Sequence, residues 1–182
     1  MIKKLMTSFA FTKNLFVTGA VIETSKKSSV EICKYLPKGT NKVIVEFGMG
    51  HGNITKEILK RISNNSKLYT FEVKKSFCDH VKKNIKDDRL IIINDSAENI
   101  KIHVKEDVDA IIGSIPFSFF SKEKSLEIIQ SAHNKLVNNG YYSQVLYTKF
   151  NFKKFQQVFE KCDIKKIKNT PTEFVYHCRR EI

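Results

Sequence analysis

The sequence has 182 residues, which is enough for one domain of ordinary size with its own hydrophobic core. Its net charge of +13 predicts a polyanionic partner, either a nucleic acid or an anionic membrane surface, and charge alone does not choose between them. The four cysteines are scattered without a C-x-x-C pair, which argues against a metal site and for reduced thiols in a cytoplasmic protein. No apolar run reaches membrane-spanning length, and no cleavable signal pattern opens the chain.

The first 42 residues predict two helices ahead of the main part of the domain. In residues 1–17 the apolar side chains recur at helical spacing and the lysines fall largely elsewhere, which is the pattern of a basic amphipathic helix. Such a helix can lie flat in a membrane interface or pack on the domain, and both alternatives stay open. The lead-in segment, residues 18–42, contains a second helix that Thr24 or Ser25 caps and that Pro37 ends.

From residue 43 onward, strand patterns alternate with helix patterns, which is typical of an α/β fold with a doubly wound sheet. The predicted strands are 43–47, 67–72, 89–93, 107–113, 140–147, 163–168 and 173–179, and the predicted helices are 53–63, 75–86, 121–137 and 151–161, with a short helix at 97–104. No internal repeat or linker interrupts this order. We therefore predict a single domain over residues 1–182, with the catalytic core at 43–182.

A glycine-rich turn between the first strand and the first helix of this core predicts a ligand site. Gly48, Gly50 and Gly52 follow the strand, and a helix opens at Asn53, a suitable N-cap, so backbone N–H groups converge where a nucleotide-like ligand can bind. The spacing is G-x-G-x-G and not the dinucleotide pattern G-x-G-x-x-G. Glu46, at the strand tip, would repel a pyrophosphate but suits a ligand with a cationic amino acid end.

The stretch from Glu46 to Gly52 resembles motif I (E/D-x-G-x-G-x-G) of the class I S-adenosylmethionine-dependent methyltransferases. The resemblance implies their seven-stranded, Rossmann-like doubly wound sheet, in which the final strand is antiparallel, and S-adenosylmethionine as cofactor. Glu72 ends the second strand, where it can bind the two ribose hydroxyls. After the third strand, Asp95 or Ser96 could accept a hydrogen bond from the adenine amine, and an N-capping role for Asp95 is the alternative. The predicted cofactor-binding residues are Glu46, Gly48, Met49, Gly50, Gly52, Glu72, Val73, Asp95, Ser96, Ala97 and Ser114.

The sequence Ser114-Ile115-Pro116-Phe117 follows the fourth strand and resembles motif IV (N/D/S-x-P-Y/F) of amino-methyltransferases. The resemblance implies that the Ser114 side chain and the Ile115 carbonyl accept hydrogen bonds from the target amine. It also implies that the Phe117 ring, next to Pro116, stacks or packs on the substrate. A turn that merely ends a buried strand is the alternative. Methyl transfer to an amine needs positioning more than titratable groups, so the lack of a catalytic triad does not argue against an enzyme.

Three further segments resemble the bacterial phospholipid N-methyltransferase family. These are Gly19 to Ser25, Gln144 to Tyr147 and Asn169 to Arg180, in the family's order. The resemblance implies methyl transfer to the headgroup amine of phosphatidylethanolamine or a related amino lipid, by a cytoplasmic protein bound peripherally to the inner face of the membrane. Its partners would be an anionic membrane surface and an amino phospholipid, with no obligate protein partner. Tyr147 would orient or deprotonate the ammonium, or else be a core tyrosine.

A ribosomal RNA adenine N6-methyltransferase is the alternative function, because those enzymes share motif I and an N-(I/L)-P-(Y/F) motif IV. The basic charge suits either substrate, and nucleic acid is a partner only under this alternative. Two features argue against it: Ser114 stands where those enzymes prefer Asn, and only Glu181 and Ile182 follow the last strand, where they carry a helical RNA-binding domain. A non-catalytic adaptor is a third hypothesis, against which the intact cofactor motif argues.

Overall fold

The computed structural model describes residues 24–181. The predicted amphipathic helix over residues 1–17 and the start of the lead-in segment lie outside the described residues. The lead-in helix is α1, Lys26–Ile32, and it ends ahead of Pro37. Of the two predicted caps, Ser25 is the N-cap, and its side chain accepts a hydrogen bond from the Ser28 N–H at 3.2 Å.

Seven strands form one mixed sheet, which confirms the predicted class of fold. The strands are β1 (Val43–Phe47), β2 (Lys67–Phe71), β3 (Leu90–Ile93), β4 (Val108–Gly113), β5 (Leu136–Leu146), β6 (Lys161–Ile167) and β7 (Glu173–Arg179). Their order across the sheet is β3-β2-β1-β4-β5-β7-β6. β1 to β5 pair in parallel, and β7 runs antiparallel between β5 and β6. The antiparallel final strand is thus as predicted.

The helices follow the predicted order with shorter bounds. They are α2 (Asn53–Leu59), α3 (Lys75–Asn84), α4 (Ile100–His103), α5 (Lys122–Lys135) and α6 (Phe152–Gln156), with 3₁₀ turns at Ala97–Asn99 and Phe117–Phe119. The helix predicted to reach residue 137 ends at Lys135 because Leu136 is buried and already pairs with Val108 in the sheet. Within residues 24–181, no helix combines the length and the apolar character needed to cross a membrane.

Helices cover both faces of the sheet, so the parallel strands are buried on both sides. Successive residues of β1 show this: Ile44 joins the apolar cluster formed with α1 and α2, whereas Val45 and Phe47 join the cluster formed with α4, α5 and α6. Because β1, β2, β4 and β5 run in parallel, their carboxyl ends lie along one edge of the sheet. Ligands bind at this edge in folds of this kind, and the predicted site residues lie in the loops that leave it.

Candidate active site

The glycine loop connects β1 to α2 with its glycines in left-handed conformations. Gly48, Gly50 and Gly52 have φ angles of 79°, 49° and 84°. A Cβ at Gly48 would lie 2.9 Å from the Ile115 side chain, whereas a Cβ at Gly50 would meet no protein atom within 4 Å. Gly48 therefore permits close packing of two loops, and Gly50 leaves room beside the backbone. The predicted N-cap Asn53 is wrong, because Asn53 is the first helical residue and Gly52 is the cap.

Glu46 is buried beneath this loop with one carboxylate oxygen unsatisfied. Its Oε2 atom accepts a hydrogen bond from the Thr55 hydroxyl at 2.7 Å. Its Oε1 atom has no hydrogen-bond partner among the described residues. Burial raises the pKa of Glu46 to about 8; the Thr55 hydrogen bond opposes this shift, and the charge of Glu72 adds to it. A buried acceptor without a donor suits the cationic amino end of a ligand.

Glu72 directly follows β2 and contacts the same glycine loop. Its Oε2 atom accepts a hydrogen bond from the Gly50 N–H at 3.3 Å, and its Oε1 atom accepts one from the Lys74 N–H at 2.9 Å. The Gly48 N–H donates to the Phe71 carbonyl at 2.8 Å, which ties the loop to the end of β2. The structure therefore brings the two predicted acids to one place. The next residue, Val73, leaves 67% of its surface exposed beside this carboxylate.

The turn after β3 separates the roles of Asp95 and Ser96. Asp95 accepts hydrogen bonds from the Asn99 side chain and the Ser96 N–H, and its other oxygen lies 2.7 Å from His103 Nε2. The contacts with His103, Asn99 and Ser96 lower the pKa of Asp95. The carboxylate thus binds the helical segment that follows, but the N-cap of that segment is Ser96, so Asp95 is not the N-cap. Ser96 makes no capping bond with its side chain, and Ala97 is buried and offers only its backbone.

Ser114 joins the motif after β4 to the glycine loop. Its N–H donates to the Phe47 carbonyl at 2.8 Å, and its hydroxyl donates to the Gly48 carbonyl at 2.5 Å. Because the hydroxyl proton is used in this way, the oxygen lone pairs remain available as acceptors. The side chain is only partly buried. Ser114 is therefore placed to accept a hydrogen bond from an amine that lies against the glycine loop.

The Ile115 carbonyl differs from its predicted role. It accepts hydrogen bonds from the Gln144 side-chain amide at 3.0 Å and from the Phe117 N–H at 3.1 Å. A carbonyl oxygen has two lone pairs, so both positions are filled and a substrate amine would have to displace one donor. Gln144 is fully buried and in turn accepts from the Tyr142 hydroxyl at 3.0 Å. Sequence reasoning missed Gln144 as a site residue, although a glutamine inside a buried apolar strand is itself a signal.

Phe117 also differs from its predicted role. Its side chain is fully buried, and its ring centroid lies 5.3 Å from that of Phe155 in the core. The ring therefore cannot stack on a substrate in this structure, because the 3₁₀ turn directs it inward. Pro116 caps this turn and is half-buried. The aromatic residue of this loop with the greatest exposure is Phe119, at 40%.

Tyr147 follows β5 at the same edge and is half-buried. Burial raises its pKa well above the ordinary value for a tyrosine, and the charge of Glu173 adds to the shift. The hydroxyl therefore keeps its proton at neutral pH. It can orient a substrate through a hydrogen bond, but it is not placed to act as a base.

Glu173 forms a polar cluster that sequence reasoning did not predict. Its buried carboxylate accepts hydrogen bonds from the hydroxyls of Ser25 (2.6 Å) and Ser28 (2.8 Å), and from the Asn169 side-chain amide. Ser25 and Glu173 are 148 positions apart in the chain, so no local pattern could have indicated the contact. Ser25 and Asn169, from two of the segments that resemble the phospholipid enzymes, thus meet at Glu173, whose charge acts on Tyr147.

With this geometry in place, comparison with protein families decides the class of protein. The family model described as "Methyltransferase small domain" matches residues 24–172, which is most of the chain. The chain belongs to this family. It is a methyltransferase that depends on S-adenosylmethionine.

Similar proteins agree with this assignment. A ribosomal RNA small subunit methyltransferase A from Mycoplasmopsis synoviae is 30% identical over 95 residues, which are 52% of this chain and 35% of the relative. The match thus spans about a third of that relative's length. The crystal structure of an rRNA methylase from Streptococcus thermophilus has a TM-score of 0.68 at 17% identity, covering 89% of this chain and all of the other. A Streptococcus mutans protein described as a methyltransferase, solved in complex with SAH, has a TM-score of 0.66 at 19% identity, covering 87% and 99%.

The residues of this methyltransferase fit its cofactor. The unsatisfied Glu46 oxygen suits the cofactor's ammonium group, and the space that a Cβ at Gly50 would fill allows close approach to the loop backbone. Glu72 lies where a carboxylate can accept hydrogen bonds from ribose hydroxyls. Val73 offers an exposed apolar side chain, and Ser96 offers an acceptor, for the adenine ring.

Proposed function

We propose that this methyltransferase methylates the exocyclic amine of adenine in RNA. The observation that carries the proposal is the hydrogen bond from the Ser114 hydroxyl to the Gly48 carbonyl, because it places an amine-accepting side chain directly against the cofactor loop. The rRNA substrate named for the curated relative supports the choice of acceptor. The net charge of +13 supports a substrate rich in phosphate.

The cofactor supplies a methyl group that its positively charged sulfur already activates. The protein therefore has to hold the cofactor, orient the amine and exclude water. Glu46 and the glycine-loop backbone would hold the amino acid end of the cofactor, and Glu72 would hold its ribose. Ser114 accepts one N–H of the target amine, so that the nitrogen lone pair is directed toward the cofactor.

No protein base is needed before the transfer to adenine, because its exocyclic amine is uncharged at neutral pH. Tyr147 keeps its proton and can orient the base through a hydrogen bond. Gln144 holds the Ile115 carbonyl and so fixes the shape of the loop that carries Ser114. The surplus proton on the methylated nitrogen can pass to water when the product leaves.

A methyl-transfer assay tests the proposal. Full-length protein with methyl-labelled S-adenosylmethionine is offered a single-stranded adenine-containing oligoribonucleotide and, separately, vesicles that contain phosphatidylethanolamine. We expect label in N6-methyladenine, and a Ser114→Ala variant should lose at least about tenfold in kcat/KM. Label in the lipid alone would overturn the proposal.

A lipid headgroup amine is the second candidate, favoured by one specific feature. A groove of about 610 Å³ lies between α1 and the end of β6. It is lined by Lys26, Lys27, Val30, Glu31, Lys166, Ile167 and Lys168. Four cations around an apolar floor suit an anionic headgroup with its acyl chain, which would hold the protein on the inner face of a membrane. The vesicle arm of the assay tests this candidate directly.

A further inference from the structure

Two loops lie side by side at the carboxyl edge of the sheet and frame the candidate active site. β4 and β5 pair in parallel, with Gly113 opposite Gln144, so the segments 114–121 and 147–151 leave adjacent strand ends. The second loop is anchored from below, because the Tyr176 hydroxyl donates to the Thr148 carbonyl at 2.7 Å. Phe117 of the first loop packs in the core against Phe155 of α6, the helix that follows the second loop. Both loops are thus held in place next to Ser114.

Each loop exposes one phenylalanine. Phe119 in the first loop is 40% exposed, and Phe150 in the second is 69% exposed. Within residues 24–181, the other exposed large apolar side chains are aliphatic: Val30, Val73, Ile91, Ile102 and Ile164. Exposed phenylalanine and tyrosine rings in the described part of the chain are therefore confined to the two loops beside the site. Aromatic rings at such a place can stack on nucleic acid bases.

Lysines accompany the two rings. Lys149 directly precedes Phe150, and Lys122 and Lys153 follow shortly after the two loops; all three are exposed. The ion pairs found among residues 24–181 do not include these three lysines. Lys122 does interact electrostatically with the neighbouring Glu123, but none of the three ammonium groups forms a close ion pair with a carboxylate of residues 24–181. A cationic surface with aromatic rings is the combination that binds single-stranded nucleic acid.

We propose that the surface formed by Phe119, Phe150, Lys122, Lys149 and Lys153, here called the entrance surface, binds single-stranded RNA on both sides of the target adenine. The two rings stack on flanking bases, and the three lysines contact phosphates. This inference rests on the proposed function and adds the form of its substrate, an unpaired strand whose target base is accessible. Stacking tolerates any base, so the surface sets affinity and strandedness more than sequence.

The test exploits the difference between stacking and apolar contact. Fluorescence anisotropy with the full chain and a labelled adenine-containing 12-nucleotide RNA compares Phe150→Leu and Phe119→Leu with Phe150→Tyr. Leucine keeps apolar surface without a π-face, so each leucine variant should bind about tenfold more weakly, and the tyrosine variant should bind like wild type. Ile102→Ala removes an apolar side chain of similar exposure (62%) elsewhere and should change nothing. The role of charge is tested by a triple variant that combines Lys122→Gln, Lys149→Gln and Lys153→Gln. The slope of the logarithm of RNA affinity against the logarithm of salt concentration should become shallower by about 2.

Two further measurements separate the inference from the proposed function. If the wild type methylates RNA and both leucine variants bind RNA as tightly as the wild type, the role of the entrance surface is refuted and the proposed function still holds. Binding to a membrane is measured by sedimentation with phosphatidylglycerol/phosphatidylcholine vesicles. Vesicle binding that the leucine variants retain, with no RNA binding by wild type, would overturn both proposals. Weaker binding of double-stranded RNA than of single-stranded RNA supports the inference, and equal affinity for the two contradicts it.

Discussion

Replacing Gly50 with alanine separates cofactor binding from folding more cleanly than any other change in the loop. A Cβ at this position would meet no protein atom within 4 Å, so the methyl group adds no clash to the protein itself. The φ angle of 49° lies in the left-handed region, where an L-residue costs about 1 kcal/mol relative to glycine. The free energy of unfolding should therefore fall by about 1 kcal/mol.

The effect on cofactor binding should be larger. The added methyl group occupies the space through which a ligand reaches the loop backbone. Loss of two or three hydrogen bonds at about 1 kcal/mol each corresponds to roughly 100-fold weaker binding. Isothermal titration calorimetry with S-adenosylmethionine or its demethylated product measures this directly, and urea unfolding measures the stability.

Two matched variants control for strain and clash. Gly39→Ala also places alanine at a positive φ, 102°, with only the Lys42 side chain at 4.0 Å, and should keep full cofactor affinity. Gly48→Ala should destabilise the protein more than Gly50→Ala does, because its Cβ would lie 2.9 Å from Ile115. If the folded Gly50→Ala variant binds cofactor as tightly as wild type, the glycine loop does not bind the cofactor and the assignment of the site is refuted.

Three other changes test neighbouring parts of the site. Burial raises the pKa of Glu46 to about 8, so the folded chain keeps a proton that the unfolded chain loses near pH 4.5. The free energy of unfolding should therefore fall as the pH rises from 4.5 to 8, by about 1.4 kcal/mol per pH unit at most. Urea unfolding at several pH values should show that Glu46→Gln removes this fall and that the pH dependence of the two proteins is the same below pH 4.5. Gln144→Glu can donate to the Ile115 carbonyl only when protonated, so its kcat should recover as pH falls from 8 to 6, whereas Gln144→Leu should show no recovery. Ser96→Ala should weaken cofactor binding by about fivefold in calorimetry, whereas Asp95→Asn should mainly lower thermal stability; the reverse pattern would make Asp95 the adenine acceptor.

The fold and the cofactor side of the site follow from local patterns in the sequence. Short apolar runs alternate with helical periodicity, and this alternation predicts the strands, whereas the antiparallel final strand is implied by the resemblance to class I methyltransferases. Glu46, the glycines and Glu72 are fixed by their distance from strand ends, because the carboxyl ends of parallel strands share one edge. Backbone geometry at such a turn depends on residues within the turn itself. The structure therefore places these residues together as the spacing predicts.

The substrate side depends on contacts between distant residues, which no local pattern records. Phe117 has the spacing of a substrate-stacking residue, but Phe155 provides an apolar partner in the core and the ring turns inward. The Ile115 carbonyl has the position of an amine acceptor, but the Gln144 amide, 29 residues away, occupies it. In each case the sequence places the group in the correct loop, but a contact with a residue elsewhere in the chain prevents its predicted role.

The protonation state of the target amine distinguishes the two candidate substrates on physical grounds. A lipid ammonium resembles that of lysine, with a pKa near 10.4, and must lose a proton before its nitrogen can attack. Tyr142 and Tyr147 are unsuited to accept it, because burial raises the pKa of both and each hydroxyl keeps its proton. Glu46 lies beneath the glycine loop, where one carboxylate oxygen accepts from Thr55 and the other is expected to bind the cofactor's amino end. The adenine amine is already neutral and needs no base before the transfer. Its lone pair is conjugated with the ring, so it has to be localised on the nitrogen, and an acceptor for its N–H group such as Ser114 favours this.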